Sequence, residues 1–383
     1  MAKGKNQPLR IGLVGCGNIS DIYLTNAALF RDIAFTACAD LNADAAARQA
    51  KRYKIAARPV KELLGSDDID IVLNLTIPEV HAEVSLSALA AGKHVYTEKP
   101  LATSLADGVK VMEAARARGL RVGAAPDTVL GASIQEARRL IDTGAIGKPL
   151  SGAAAFMSHG MEHWHPNPGF FFRPGGGPVL DMGPYYISTL VTLLGPVASV
   201  MASGQTGFSE RIVTTKKSSI LGQAIKVETP TNLHALLQFQ SGAQVVFLAS
   251  WDVWKHGMLP MELHGADASL RVPDPNWFGG KLKLAKGRGG WKSIATDTQF
   301  LGKDNYPKGE PLHANYRGLG LADMARAIKD QRPHRANGDM GLHVLAVMLG
   351  ILEAAAKGKR VSIAQGCERP AALGEAEADG LRM

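Results

Sequence analysis

Over the first 125 residues, short apolar runs alternate with longer stretches that repeat with helical spacing. The runs at 9–14, 33–39, 69–76, 94–97 and 121–125 read as strands. Between them 19–30, 43–53, 80–91 and 105–118 read as helices. Strands that are apolar on both sides and separated by helices predict a parallel sheet covered on both faces. After about residue 127 the rhythm changes. One more helix, 132–143, ends at Gly144, and longer strands follow at 150–158, 197–205, 233–239, 244–251, 261–264, 269–272 and 281–284. Gln240-Ser241-Gly242-Ala243 reads as a hairpin turn. A helix at 181–194 sits among these strands, and helices at 316–329 and 341–357 close the pattern. The expected organisation is an α/β domain at 1–126 and an α+β domain with a mainly antiparallel open sheet at 127–364. A polar, alanine-rich loose tail is expected at 365–383.

Composition narrows the class. The chain has 383 residues, 46% hydrophobic and 20% charged, which is ordinary for a soluble globular protein. No apolar run was expected to reach the roughly 18–20 residues of a membrane helix. Residues 1–10 are basic and polar, without the apolar stretch of a signal peptide. Three scattered cysteines, Cys16, Cys38 and Cys367, predict a reduced cytoplasmic protein, with Cys16 and Cys38 as small buried fillers. The net charge of +8 is spread along the chain, with Lys216-Lys217 and the stretch 281–292 the densest parts. That distribution speaks against a nucleic-acid interface and suits an anionic ligand.

The candidate chemistry begins at Gly15-Cys16-Gly17-Asn18-Ile19-Ser20, directly after the first strand. Gly15 permits a tight turn and Gly17 a close backbone approach to a pyrophosphate, while Asn18 and Ile19 open the helix that follows. Ser20 stands where a third glycine or alanine is usual. Asp40 ends the next strand, placed to accept both hydroxyls of an adenosine ribose and to repel a 2′-phosphate. No arginine occurs in Leu41-Asn42-Ala43, so NAD is expected rather than NADP. Glu98-Lys99-Pro100 follows the strand at 94–97. Ligands of such sheets sit outside the carboxyl ends of the strands, which points Lys99 into the cleft.

Together these residues resemble the glucose-fructose oxidoreductase / inositol dehydrogenase / MocA (Gfo/Idh/MocA) family. The likeness covers about residues 9–364. It rests on the glycine turn, Asp40, Leu75-Thr76-Ile77-Pro78 with His81, Ala91-Gly92-Lys93-His94-Val95 and Glu98-Lys99-Pro100. It continues through Gly144-Ala145-Ile146-Gly147 and Gly175-Gly176-Gly177 with Asp181 and Gly183. The resemblance implies a Rossmann domain, a substrate and oligomerisation domain, and NAD(P)-dependent dehydrogenation of a sugar, inositol or related polyol. It implies that Lys99 contacts the nicotinamide ribose and the reacting hydroxyl, and that Glu98 binds that ribose. Thr76, Pro78 and His81 would line the cofactor, Asp127 would lie by the nicotinamide and substrate, and Asp181 would bind substrate. One position departs from the pattern. In Asp181-Met182-Gly183-Pro184-Tyr185, tyrosine replaces the usual acid/base histidine, so Tyr185 is expected to handle the proton beside Lys99.

The segment His159-Gly160-Met161-Glu162-His163-Trp164-His165 could suggest zinc, but His163 and His165 stand two apart, which matches no helical ligand pair, and no metal is expected. Trp164 would stack on a sugar ring, and His163 or His165 would bond its hydroxyls. His163 is the rival to Tyr185 as proton acceptor. Phe170-Phe171-Phe172-Arg173 suggests an aromatic wall with a cation, Arg173, on the substrate side. Two other readings stand beside the dehydrogenase: an NAD-dependent glycosidase that oxidises a ring carbon transiently, and a non-catalytic sugar sensor. The apolar strands at 233–239 and 244–251 predict a sheet face that pairs subunits into a homodimer or homotetramer.

Overall fold

The computed structural model describes residues 7–306 and 313–383; most of the basic stretch at 1–10 lies outside them. The N-terminal half is built on strands β1 (Leu9–Val14), β2 (Ile33–Ala39), β3 (Ala56–Ala57), β4 (Ile71–Asn74), β5 (His94–Thr97) and β6 (Val122–Ala124). They form one parallel sheet in the order β3-β2-β1-β4-β5-β6. Its helices are α1 (Ser20–Asn26), α2 (Ala43–Tyr53), α3 (Val60–Gly65), α4 (His81–Ala90) and α5 (Leu105–Ala117). The chain order reverses between β1 and β4, and a ligand crevice opens at such a switch point. The first helix is shorter than its spacing predicts, because the chain tightens into a 3₁₀ turn at Ala27–Leu29. Residues 56–65 carry a short strand and a helix where the apolar pattern is too brief to mark either.

After α6 (Ala132–Asp142) comes the second sheet, built from β7 (Pro149–Met157), β8 (Val197–Gln205), β11 (Asn232–Phe239), β12 (Gln244–Ser250), β13 (Met261–Gly265), β14 (Ala268–Val272), β15 (Leu282–Lys286), β16 (Lys292–Ile294) and β17 (Val361–Ser362). A small separate hairpin, β9 (Glu210–Ile212) with β10 (Ala224–Lys226), lies off its edge. All pairs in the large sheet are antiparallel except β7 with β12. The predicted hairpin turn joins β11 to β12. Their alternating burial leaves one sheet face on the core and one open, with Met201, Val246 and Leu150 on the exposed side. Against the core face lies α7 (Pro178–Leu194).

Two late helices, α8 (Leu319–Lys329) and α9 (Gly338–Lys357), return to the first half of the chain. They pack on β6, and α9 also packs on α5, α7 and β8, so one core runs through both halves. Helix α9 is long and apolar enough to cross a membrane, contrary to the expectation that no run would be, and its apolar side chains are buried in that core. The segment 365–383 is not a loose tail. It ends in α10 (Glu375–Leu381), with Leu373, Ala378 and Leu381 buried in the same core and Glu377 2.7 Å from Arg335. Met383 N–H donates to Leu29 O at 3.0 Å, tying the C-terminus to α1's turn. The apolar side chains in an otherwise polar stretch supply the docking force. Cys16 and Cys38 are buried, and all three cysteines are free thiols.

Candidate active site

The glycine turn closes over the end of β1. Gly15 has φ +100°, and a Cβ there would meet Leu75 O at 2.5 Å, so only glycine fits. Gly17 is different: nothing of the protein lies within 4 Å of where its Cβ would be. Its bare backbone faces open space, as an approaching pyrophosphate requires. Asp40 is held at the end of β2 by N–H donors from Cys16 (2.7 Å) and Asn42 (2.7 Å). Asn42 in turn caps α2 by accepting from Asp44 N–H and Ala45 N–H. Asp40, Gly17 and Asn18 border a hollow of about 560 Å³ that Arg48 and Arg52 of α2 also line. The arginines missing from 41–43 thus reappear on the helix, and Arg52 is paired there with Asp21 at 2.5 Å.

Asn74, at the end of β4, organises the next loop. Its amide donates to His81 O and Ser85 Oγ, and its oxygen accepts from Thr76 Oγ1 at 2.6 Å. Pro78 opens a short 3₁₀ turn beside it. His81, expected to touch the cofactor, is buried instead. Its ring nitrogens lie 2.7 Å from Pro100 O and 3.0 Å from Thr76 O, bridging the two loops, and burial holds its pKa below the usual imidazole value. Glu98 accepts from Tyr23 Oη (2.8 Å) and from Lys99 N–H (3.0 Å), which fixes the turn carrying the lysine.

Lys99 Nζ donates to Asp181 Oδ1 at 2.8 Å and to Asp181 O at 3.0 Å. Both side chains keep 18% exposure, and the carboxylate of the pair borders a large cleft. Burial opposes the ammonium, but Asp181 beside it and Glu98 behind it outweigh that, and its pKa is raised. Tyr185, expected to handle the proton beside Lys99, makes no hydrogen bond to it. Nζ stands 5.5 Å from the centre of the Tyr185 ring, whose hydroxyl accepts from Arg317 Nη2 at 3.3 Å instead. The reason is the helix itself: Asp181 and Tyr185 are one turn apart on α7, and the lysine reaches only the nearer polar group.

A cleft of about 1800 Å³ opens beside this pair. Asn18, Ile19, His163, Trp164, His165 and Asp181 line it. His163 and Trp164 are exposed there, while His165 sits edge-on between Trp164 and Phe171. Elsewhere in the histidine-rich loop, His159 also lines the cleft, stacked on Trp254 at 3.3 Å, while Glu162 pairs with Arg211 at 2.9 Å. Two expected residues do not line the cleft. Arg173 is exposed outside it. Asp127 is buried, its Oδ2 accepting from Gly318 N–H (2.9 Å) and Gly320 N–H (3.0 Å) at the start of α8. Burial pushes its carboxyl up to about 6.

Several cleft residues carry no signal in the sequence pattern. Trp254, Asn276, Trp277, Asn315 and Arg317 all line it. They come from loops far apart in the chain, and the polar run Asn315-Tyr316-Arg317-Gly318 just before a helix is the one cue that could have marked them.

Comparison with known proteins settles the family. The model of the oxidoreductase family with an NAD-binding Rossmann fold matches residues 9–125, and the GFO/IDH/MocA C-terminal domain model matches residues 134–271. The chain belongs to the Gfo/Idh/MocA family. It is an NAD-binding oxidoreductase. Among its relatives is 1,5-anhydro-D-fructose reductase of Ensifer adhaerens, 29% identical over 80% of this chain and 84% of that one. Myo-inositol 2-dehydrogenase of Thermotoga maritima is 26% identical over 61% of this chain and 66% of that one. Among solved structures, levoglucosan dehydrogenase in complex with NADH and levoglucosan superposes with a TM-score of 0.79 at 22% identity, covering 94% of this chain and all (100%) of that one. That last likeness is one of fold.

Proposed function

We propose that the chain is an NAD-dependent dehydrogenase that oxidises a hydroxyl of a sugar, glycoside or cyclic polyol, or reduces the matching ketone. The observation that carries this reading is the Lys99–Asp181 pair, whose carboxylate lines a cleft that the glycine turn borders on one side and aromatic side chains on the other. Trp164, Trp254 and Trp277 offer flat apolar surfaces to the C–H faces of a ring, while His163, His165 and Asn276 offer donors and acceptors to its hydroxyls. The names of the relatives, which act on anhydrofructose, inositol and xylose, support the same substrate class. Asp40 at the ribose end favours NAD over NADP.

Bound nicotinamide supplies the hydride acceptor. The protein's own groups deal with the oxygen and its proton. Lys99, held as an ammonium, donates a hydrogen bond to the reacting oxygen and stabilises the charge that builds there. As the C–H electron pair leaves the carbon, the O–H proton passes to Asp181, which touches Lys99 and reaches the cleft; a base must lie within hydrogen-bond distance of the proton it takes. Tyr185 then orients Arg317 and packs beneath Lys99 rather than taking the proton.

The test is a screen of sugars, glycosides and inositols for NADH formation, followed by Asp181→Asn and Tyr185→Phe. Turnover of a ring hydroxyl is expected, with Asp181→Asn lowering kcat about 1000-fold and Tyr185→Phe only a few-fold. No NADH or NADPH from any compound overturns the function. Tyr185→Phe proving the more damaging variant overturns the assignment of the base.

A further inference from the structure

Four arginines are buried among the described residues: Arg138, Arg211, Arg317 and Arg335. Three of them have a carboxylate partner. Arg138 pairs with Asp142 at 3.1 Å, Arg211 with Glu162 at 2.9 Å and with Asp252, and Arg335 with Asp323 at 2.6 Å. Among the described residues Arg317 has none. Its acceptors there are all neutral: Asn276 Oδ1 at 2.7 Å, Asn276 O at 3.3 Å, Asn315 Oδ1 at 2.9 Å and Tyr185 Oη at 3.3 Å. Its Nε–H makes no hydrogen bond to a described residue.

The acids nearby, Glu98 and Asp127, favour the guanidinium only through space, and their hydrogen bonds go to other groups. Glu98 serves Tyr23 and the Lys99 N–H, and Asp127 serves Gly318 and Gly320. Two aspartates line the cleft, and each is already paired: Asp181 with Lys99, Asp21 with Arg52. Taking a guanidinium out of water without a bonded counter-ion is unfavourable, and a fold retains that arrangement where an incoming group supplies the missing charge. Arg317 is the one buried arginine that lines the cleft.

We propose that Arg317 receives a carboxylate of the substrate, so that the compound oxidised is an acidic sugar or polyol of the uronate or aldonate class rather than a neutral one. The proposal rests on the dehydrogenase reading above and names its substrate class. A planar guanidinium matches a planar carboxylate. A phosphate would call for further N–H donors or cations around the same point, and the groups bonded to Arg317 are neutral amides and a phenol. The glycine turn, for its part, already presents bare backbone for the phosphates of the cofactor.

The decisive measurement is kcat/KM for NADH formation across matched compounds: a uronate, its methyl ester, the parent aldose and the corresponding aldose phosphate, with an aldonate and its parent as a second set. The acid is expected to be preferred over ester and parent by about 100-fold. Arg317→Met is expected to erase that preference by raising KM for the acid, and Arg317→Lys to retain part of it. Equal use of acid and neutral partner by the unaltered protein overturns the proposal and leaves the dehydrogenase reading standing. A preference for the phosphate overturns the carboxylate assignment. If no compound yields NADH, the dehydrogenase reading fails. The proposal is then decided by the thermal shift of the protein–NADH mixture: a larger shift with the uronate than with its methyl ester supports it, and equal shifts overturn it.

Discussion

The two ends of the cleft are made in different ways. The cofactor end is backbone: Gly15 and Gly17 in one short turn, with Asp40 steered by two N–H groups. The reacting end is side chain. Lys99, Asp181, Tyr185, Asn276, Asn315 and Arg317 converge from separate segments and hold one another by hydrogen bonds. A backbone site fails where a Cβ cannot fit, whereas a side-chain site fails when one functional group is removed. Losses at the two ends are therefore separable. Lys99→Met is the largest test of that division. It removes the group that stabilises charge on the reacting oxygen, so kcat is expected to fall about 1000-fold while the Kd for NADH, read by fluorescence titration, changes only a few-fold. Loss of NADH binding of the same order as the loss of kcat would mean that the two ends are one unit.

Within the backbone end the comparison sharpens further. Gly15→Ala forces a Cβ against the Leu75 carbonyl, at a φ that side chains avoid. A cost of about 2–3 kcal/mol in stability is expected, visible as a lower urea midpoint. Gly17→Ala meets no protein atom. Its stability is expected to match the parent, with the Kd for NADH weakened about 10-fold or more, because the methyl group occupies the path of the pyrophosphate. Unimpaired NADH binding by Gly17→Ala would remove the turn's assignment as the phosphate site.

The same division explains what could be read from the chain. Strands buried on both faces and a contiguous glycine motif leave strong local signals, so the parallel sheet, five of its six strands and the Gly15–Ile19 turn were legible, while the short elements at 56–65 were not. Lys99 was legible because Glu98-Lys99-Pro100 follows a strand directly. The partner of Lys99 was not: Asp181 and Tyr185 lie on one helix face, and sequence spacing does not say which the ammonium reaches. Arg317 was missed because its bond to Tyr185 spans 132 residues and leaves no period to detect. Asp127 and His81 were assigned to ligands, yet both turn inward to satisfy backbone groups of neighbouring loops. A polar residue beside a site and one supporting it from below look alike in sequence. Docking of 365–383 was missed for a related reason, since four buried side chains in a polar run are too few to stand out.

Asp127 joins the two halves of the comparison, because its carboxylate holds the backbone immediately after Arg317. Burial raises its pKa to about 6, against the backbone donors and the Arg317 charge that oppose the shift, while the unfolded chain releases its proton at about 3.9. Between those values the folded protein holds a proton that the unfolded chain has lost. Stability contributed here is therefore lost as pH rises from about 4 to about 6 and is level beyond, a loss of order 2 kcal/mol. Asp127→Asn keeps an oxygen that accepts from Gly318 N–H and Gly320 N–H but does not titrate. Relative to the parent, the variant is expected to gain stability steadily across that window in urea unfolding, with no further gain above about pH 7. A difference that stays flat with pH would show that the charge is met inside the fold. Arg317, whose charge already opposes the shift, is the cation able to meet it, and in that case the guanidinium would have its counter-ion before any substrate arrived.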